Sequence, residues 1–399
     1  MTGGQPSRRQ LILILGSLSA FGPLSIDMYL PALPAMARDL HAATSAAQLT
    51  LTGCLIGLAA GQLLAGPVSD ARGRRMPLLA GLAAYAVASA LCIVAPDVWI
   101  LLVLRLLQGL AGAAGIVIAR AVVRDLYDGD EMARFYSYML LVNGVAPIAA
   151  PIAGAQLLRV TDWRGVFAVL TLIGLVLLLV SARWLPETWP PERRRPGGLT
   201  AVLRDARLLA ADVSFGRFAL ATGLAFGAMF AYISGSSFVL QSRFGISPQL
   251  FSVIFAINGA GIIAAGQLSQ RLLGRLSLRT LFAAGLAGSA AGGILVLVTA
   301  LTGAGLALLL PALFIVVASI GFVLPNGTAL ALASHADRAG SAAALIGSAQ
   351  FAIGAIAAPL AGVAGSDTIL PMALVICVLG LGAWVIRPAH QESPAVTAA

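Results

Sequence analysis

Residues 280–336 read TLFAAGLAGSAAGGILVLVTALTGAGLALLLPALFIVVASIGFVLPNGTALALASHA, 57 positions without one aspartate, glutamate, lysine or arginine. A helix crosses a hydrocarbon core about 30 Å thick in roughly 20 apolar residues. The run is therefore too long for one crossing and must turn, at Thr302-Gly303-Ala304-Gly305. Outward from it, charges mark the boundaries, because a charge at mid-bilayer costs about 2.5–3.5 kcal/mol or more. The charge-poor stretches are 10–37 (Asp27 alone), 40–69, 76–96, 98–119 (Arg105 alone), 135–158, 165–182, 218–242, 244–270, the two within 280–336, 339–366 and 368–386. They number twelve.

Composition agrees: 59% of the 399 residues are hydrophobic, 10% are charged and the mean hydropathy is +0.94. Soluble domains carry about 25% charged residues, so a soluble enzyme is excluded. The apolar runs are continuous rather than alternating, which selects helices over a barrel. The expected fold is all-α, a polytopic membrane protein of twelve transmembrane helices in two six-helix halves.

All 25 basic residues are arginine. With a cytoplasmic N-terminus, 20 lie in or beside inside segments and four outside, at Arg38, Arg159, Arg164 and Arg243, with Arg105 within a span. The bias places both termini in the cytoplasm. The first apolar segment is too long for a signal peptide and contains Asp27, so it is a span. The net charge of +9 then reflects topology, and with the arginines scattered over short loops a nucleic-acid partner is not expected. Cys54, Cys92 and Cys377 fall singly within spans, and His41, His335 and His390 are dispersed, so neither a metal site nor a cofactor is expected.

The longest hydrophilic break, 186–214, contains Pro190, Pro191, Arg193 to Arg195 and Pro196-Gly197-Gly198. It divides the chain into an N-terminal half (1–185), a cytoplasmic linker (186–214) and a C-terminal half (215–399). A shift of 200 residues lays 57–70 over 257–270 with Ala60, Gly61, Ala65, Gly66 and Ser69 matched. Parallel repeats are a mark of secondary transporters, with the substrate path between the repeats.

Within the spans, Asp27 and Arg105 decide most. Asp27 lies about 24 Å from the inner boundary and Arg105 about 10 Å below the outer one at 1.5 Å per residue, which puts both in one layer. Charges at that depth face water or a partner. Two readings stay open: a proton-titrated carboxylate beside a fixed cation, and a structural ion pair between the first and fourth spans. Pro31 and Pro34 remove backbone donors just beyond Asp27, and a bend is expected there. Candidates for the cavity lining are Met28, Tyr29, Gln108, Asn143, Asn258, Asn326 and Gln350; Met28 and Tyr29 alternatively serve packing alone, and any of the others, or Gln62 and Gln267, alternatively bonds helices together.

After the second span stands Gly66-Pro67-Val68-Ser69-Asp70-Ala71-Arg72-Gly73-Arg74-Arg75. Gly66 permits close helix contact, Asp70 suits pairing with an arginine, and Gly73 permits a tight turn. The segment resembles the loop signature of the major facilitator superfamily, and LLVLRLLQGLAGAAG at 101–115 resembles its fourth-helix signature, which implies a proton-coupling role for Arg105. The stretch from Asn143 to Gly154, with Gly144, Pro147 and Pro151, resembles the Gly/Pro signature of antiporters, with Ala146 where the commonest form has glycine. SIDMYLPALP at 25–34, RDLY at 124–127 and LPETWPPERR at 185–194 narrow the resemblance to the Bcr/CflA group of drug exporters, closest to bicyclomycin-resistance proteins, over essentially the whole chain.

That resemblance implies an inner-membrane antiporter that exchanges protons for bicyclomycin, sulfonamides or phenicols by alternating access, with Asp27 as its acid. Asp70, Arg72, Arg74, Arg75 and Asp125, with Gly66 and Gly73, then form a conformational latch. In the second half Gln270-Arg271 replaces Asp70-Ala71, so the first loop carries most gating contacts. The expected partners are a small-molecule drug, protons and the bilayer, the protein acts as a monomer, and the proton gradient is the energy source. The alternative is a metabolite exporter or symporter, for example of an amino acid.

Overall fold

A computed structural model describes residues 7–194, 208–209, 211–333, 339–365 and 367–388. The order is α1 (Arg8–Ser19), α2 (Phe21–Asp27), α3 (Leu33–Asp39), α4 (Thr44–Arg72), α5 (Arg75–Ile93), α6 (Val98–Leu126), α7 (Gly129–Leu157), α8 (Trp163–Trp184), α9 (Val213–Phe238), α10 (Pro248–Leu272), α11 (Leu278–Thr302), α12 (Leu306–Leu332), α13 (Ala339–Leu360) and α14 (Leu370–Ile386). Helices α1 to α3 form one broken leg, and with the eleven helices that follow, the described residues make twelve legs. Among the described residues eight helices are long and apolar enough to cross a membrane, and the broken leg makes nine; the apolar parts of the other three, Gly144–Leu157, Leu345–Leu360 and Leu370–Ile386, are shorter. The structure is all-helical, and among the described residues no strand forms.

Polar side chains start the helices where the loops end. Asp97, Asp162, Asp212, Ser247 and Ser277 accept from backbone N–H groups of the first turn, satisfying donors that have no carbonyl four residues back. The long charge-free run turns where expected: α11 ends at Thr302, and Gly303 and Gly305 adopt φ of +68° and +72°, a region that favours glycine.

One packing scheme occurs twice. In the first half α6 packs on α4 and α5, and α5 on α8; in the second, α12 packs on α10 and α11, and α11 on α14. Small residues set the closest crossings. Gly57 lies on the Leu106 carbonyl and Gly109 on the Cys54 carbonyl, joining α4 to α6, while Gly321 lies on the Ile262 carbonyl, joining α12 to α10. The halves meet along α4 with α13 and α7 with α10. Between these seams is a cavity.

Candidate functional site

Asp27 owes its position to an interrupted helix. Pro23 has no N–H to give the Ser19 carbonyl, so α1 ends there, and Phe21–Asp39 turns 43° away from Arg8–Ser19. The main bend therefore lies at Ala20, with Pro23 as its cause, rather than at Pro31 and Pro34. Those two prolines produce a second break: α2 stops at Asp27, and Leu30–Ala32 tightens to a 3₁₀ turn before α3. The signal at Pro23 was present in the sequence and is the one that shapes this leg.

The cavity has a volume of about 450 Å³, within the range of small-molecule sites. Asp27, Gln62, Arg120 and Pro147 line it from the first half, and Tyr232, Asn258, Gln350 and Phe351 from the second. Asp27 is only 6% exposed and makes no ion pair or hydrogen bond among the described residues. Asn258 donates to the Tyr232 hydroxyl at 2.7 Å. Phe226 packs on Phe230 and, edge to face, on Phe351, with centroids 4.8 and 5.6 Å apart.

Arg105 lies behind the wall instead. Its guanidinium donates to the Ser25 carbonyl at 2.8 Å and to Gln108, and sits 5.0 Å from the Tyr29 ring and 5.7 Å from the Phe167 ring. Gln108 continues to Ser89 at 2.7 Å, and Ser25 bonds Tyr85 at 2.7 Å. The two charges share a layer, as depth arithmetic placed them, yet the ion pair between the first and fourth spans is not formed. Neutral acceptors and rings occupy the guanidinium.

Of the seven candidates for the lining, Asn258 and Gln350 reach the cavity. Tyr29 is turned into its own half, bonding Thr50 at 3.0 Å. Gln108 belongs to the arginine network, Asn326 bonds Ser269 at 2.8 Å, and Met28 is packed under Gly154 of α7. None of these four is among the residues lining the cavity: Tyr29, Gln108 and Asn326 each find a hydrogen-bond partner within their own half, and the Met28 backbone lies against Gly154. The side chain of Asn143 lies outside the described residues. Arg120, Tyr232 and the phenylalanines were missed: Arg120 reads as one more arginine at the inner end of a span, and the aromatic residues of α9 and α13 have no sequence signal that separates them from core.

Helix α7 faces both ways. Pro147 lines the cavity, Gly144 packs on Ile263 of α10, and Ile148 lies against Gly259. At its end the Ala155 carbonyl accepts from Gln249 at 2.9 Å, while Pro151 lies inside the helix. Further bonds between halves run from Gln48 to the Ser234 carbonyl at 3.3 Å, Thr52 to the Ala355 carbonyl at 2.8 Å, and Ser237 to the Leu30 carbonyl at 2.7 Å. All four join the helix ends remote from the chain termini, closing the cavity there. Ser19, Arg120 and Thr328 extend its lining toward the other end.

At that other end, Arg74 is 1% exposed and pairs with Asp70 and, at 2.8 Å, with Asp125. It also donates to Ser69 at 2.8 Å and lies 4.7 Å from the Trp189 ring. Glu187 accepts from the backbone N–H of Arg74 at 2.7 Å and of Arg75 at 3.2 Å. Burial alone would raise the Glu187 carboxyl; the N–H groups of Arg74, Trp189 and Arg75 and the nearby Arg194 outweigh it and hold it below its ordinary value. Arg75 reaches the Ala182 carbonyl at 2.6 Å, Arg72 is exposed, and Gly66 packs loosely near Val117. Gly73 has φ of +91° and abuts Glu187. The knot thus fastens α4, α6 and the segment after α8 to one another; the part played by that segment was not foreseen.

A profile of the Major Facilitator Superfamily matches residues 15–359. Over 374 residues the chain is 40% identical to an uncharacterized MFS-type transporter, YdgK, of Bacillus subtilis, spanning 93% of this chain and 92% of that protein. It is 32% identical over 368 residues to a bicyclomycin resistance protein homolog of Haemophilus influenzae, spanning 92% of each. Among solved structures, the nucleoside transporter NupG superposes with a TM-score of 0.75 at 14% identity, over 94% of this chain and 98% of that one, a likeness of fold alone.

Proposed function

This chain belongs to the major facilitator superfamily and is a multi-pass membrane transporter of small molecules rather than an enzyme; we propose that it is a proton-coupled exporter of small drugs from the bacterial cytoplasm. The observation that carries the reading is Asp27, a buried carboxyl on the cavity wall with no ion-pair partner among the described residues. Such a group holds a proton or a drug in turn. Moving an uncompensated charge through a closed, apolar cavity is costly, so the empty carrier returns with Asp27 protonated. Arg105 holds the break beside it by gripping Ser25.

With both termini cytoplasmic, the closed end is external and the cavity faces the cytoplasm. The Arg74 knot then belongs to the first half's cytoplasmic rim and is free to engage the second half when the cavity opens outward, acting as the latch of that state. The carrier works as a monomer, since the cavity is complete within one chain. The relative named for bicyclomycin resistance supports drugs over metabolites.

The test is drug-evoked proton release from everted membrane vesicles with bicyclomycin, a sulfonamide and chloramphenicol. Release in the wild type that vanishes in Asp27→Asn at equal protein level is the expected result. No response to any drug overturns drug export, and persistence of transport in Asp27→Asn without a gradient moves the reading to a metabolite carrier.

A further inference from the structure

Among the described residues lining the cavity, Asp27 is the one carboxylic acid and Arg120 the one strong base. Arg120 is on α6, its backbone carbonyl accepting from the Tyr136 hydroxyl at 3.0 Å. Its guanidinium forms no ion pair among the described residues, a condition it shares with most of the arginines, and the residue is exposed to the open cavity. Gly22 of α2 lies against Ile116 of α6. From that crossing Asp27 is five residues toward the closed end and Arg120 four residues toward the other. At 1.5 Å per residue their Cα atoms are about 13 Å apart along the axis. Opposite them stands the aromatic wall of Phe226, Phe230 and Phe351.

We propose that the cavity takes an elongated zwitterion, its basic nitrogen at Asp27, its acidic group at Arg120 and an aromatic body between them; this rests on the export reading above. When water leaves the closing cavity, each charge needs an opposite one. A ligand with a basic group alone strands the guanidinium, and one with an acidic group alone has no nitrogen to take the place of the proton on Asp27. A zwitterion satisfies both and leaves the cavity neutral. Its nitrogen also competes with the proton on Asp27, so binding and proton release become one event.

Ciprofloxacin, a rod-shaped aromatic zwitterion, is the probe, with its methyl ester (acid blocked) and its N-acetyl derivative (base blocked) as controls. Binding to the purified full-length protein is measured by titration calorimetry for wild type, Arg120→Gln and Arg120→Lys, with thermal unfolding as the check on folding. The expected result is that wild type binds the zwitterion at least about tenfold tighter than either derivative. Arg120→Gln erases the gap between acid and ester, while Arg120→Lys retains part of it. Equal binding of acid and ester by the wild type, or an equal loss for both in Arg120→Gln, overturns the proposal. If none of the three binds while the vesicle assay reports export of another drug, the zwitterion inference fails alone. If the vesicles respond to no drug, the export reading fails with it.

Discussion

At Arg105 a full charge is held at 0% exposure without a carboxylate, through the Ser25 carbonyl, Gln108 and two ring faces. The guanidinium is planar and forked, and lysine cannot reproduce that set of contacts. Arg105→Leu leaves the Ser25 carbonyl and Gln108 without their donor, which costs about 1–3 kcal/mol per group. Thermal unfolding of the detergent-purified protein is expected to show that loss, with Arg105→Lys intermediate; an unchanged midpoint in both would contradict the contact's importance. Asp27 and Arg105 were legible in the sequence because a charge within a span is rare and helix rise converts position to depth. Their partners were not, since the rotation of each helix about its axis decides whether Tyr29 or Tyr232 meets the cavity, and rotation follows from packing.

Helix pairs carry the next level. At the α4 and α6 crossing, Gly57 and Gly109 let backbone lie on backbone. Gly109→Val forces its branched side chain onto the Cys54 carbonyl, and an overpacked contact of this kind costs about 1–3 kcal/mol; the midpoint of thermal unfolding should fall accordingly, whereas Gly216→Ala, where nothing lies within 4 Å, should not lower it by a comparable amount. The knot around Arg74 has a pH signature. The folded Glu187 carboxyl lies below its ordinary 4.5, so its stabilisation is complete above the unfolded value and disappears as pH falls through the folded one. The stability gap between wild type and Glu187→Gln is therefore expected to be constant above about pH 5 and to close in acid; a gap that widens in acid contradicts the assignment. The loop signature made Asp70 and Arg74 readable and the RDLY stretch made Asp125 so, but Glu187 and Trp189 lie more than a hundred residues from the loop, and only the return of the chain after α8 brings them to it.

For the whole molecule, the four bonds at the closed end hold one arrangement of the halves. Twelve spans, the turn at Gly303 and the repeated packing all follow from charge spacing and small residues, which are local signals. The state of the cavity does not, because it depends on a balance between two seams. Each bond contributes about 1 kcal/mol, so Thr52→Val with Ser237→Ala shifts that balance by about 2 kcal/mol, roughly thirtyfold. Spin labels at Arg159→Cys and Arg243→Cys, with the native cysteines buried, are expected to gain a longer distance in the double variant that is missing from the same labelled protein without the two substitutions. An unchanged distribution would place the control of opening elsewhere.

The central claim is that drug and proton compete for Asp27. Titration calorimetry of a drug that the vesicle assay shows to be exported, repeated in two buffers of different ionisation enthalpy, counts the protons released on binding. The account predicts a proton released near neutral pH by the wild type and none by Asp27→Asn. Equal release by both proteins, or no release by the wild type at any pH at which it transports, would contradict it.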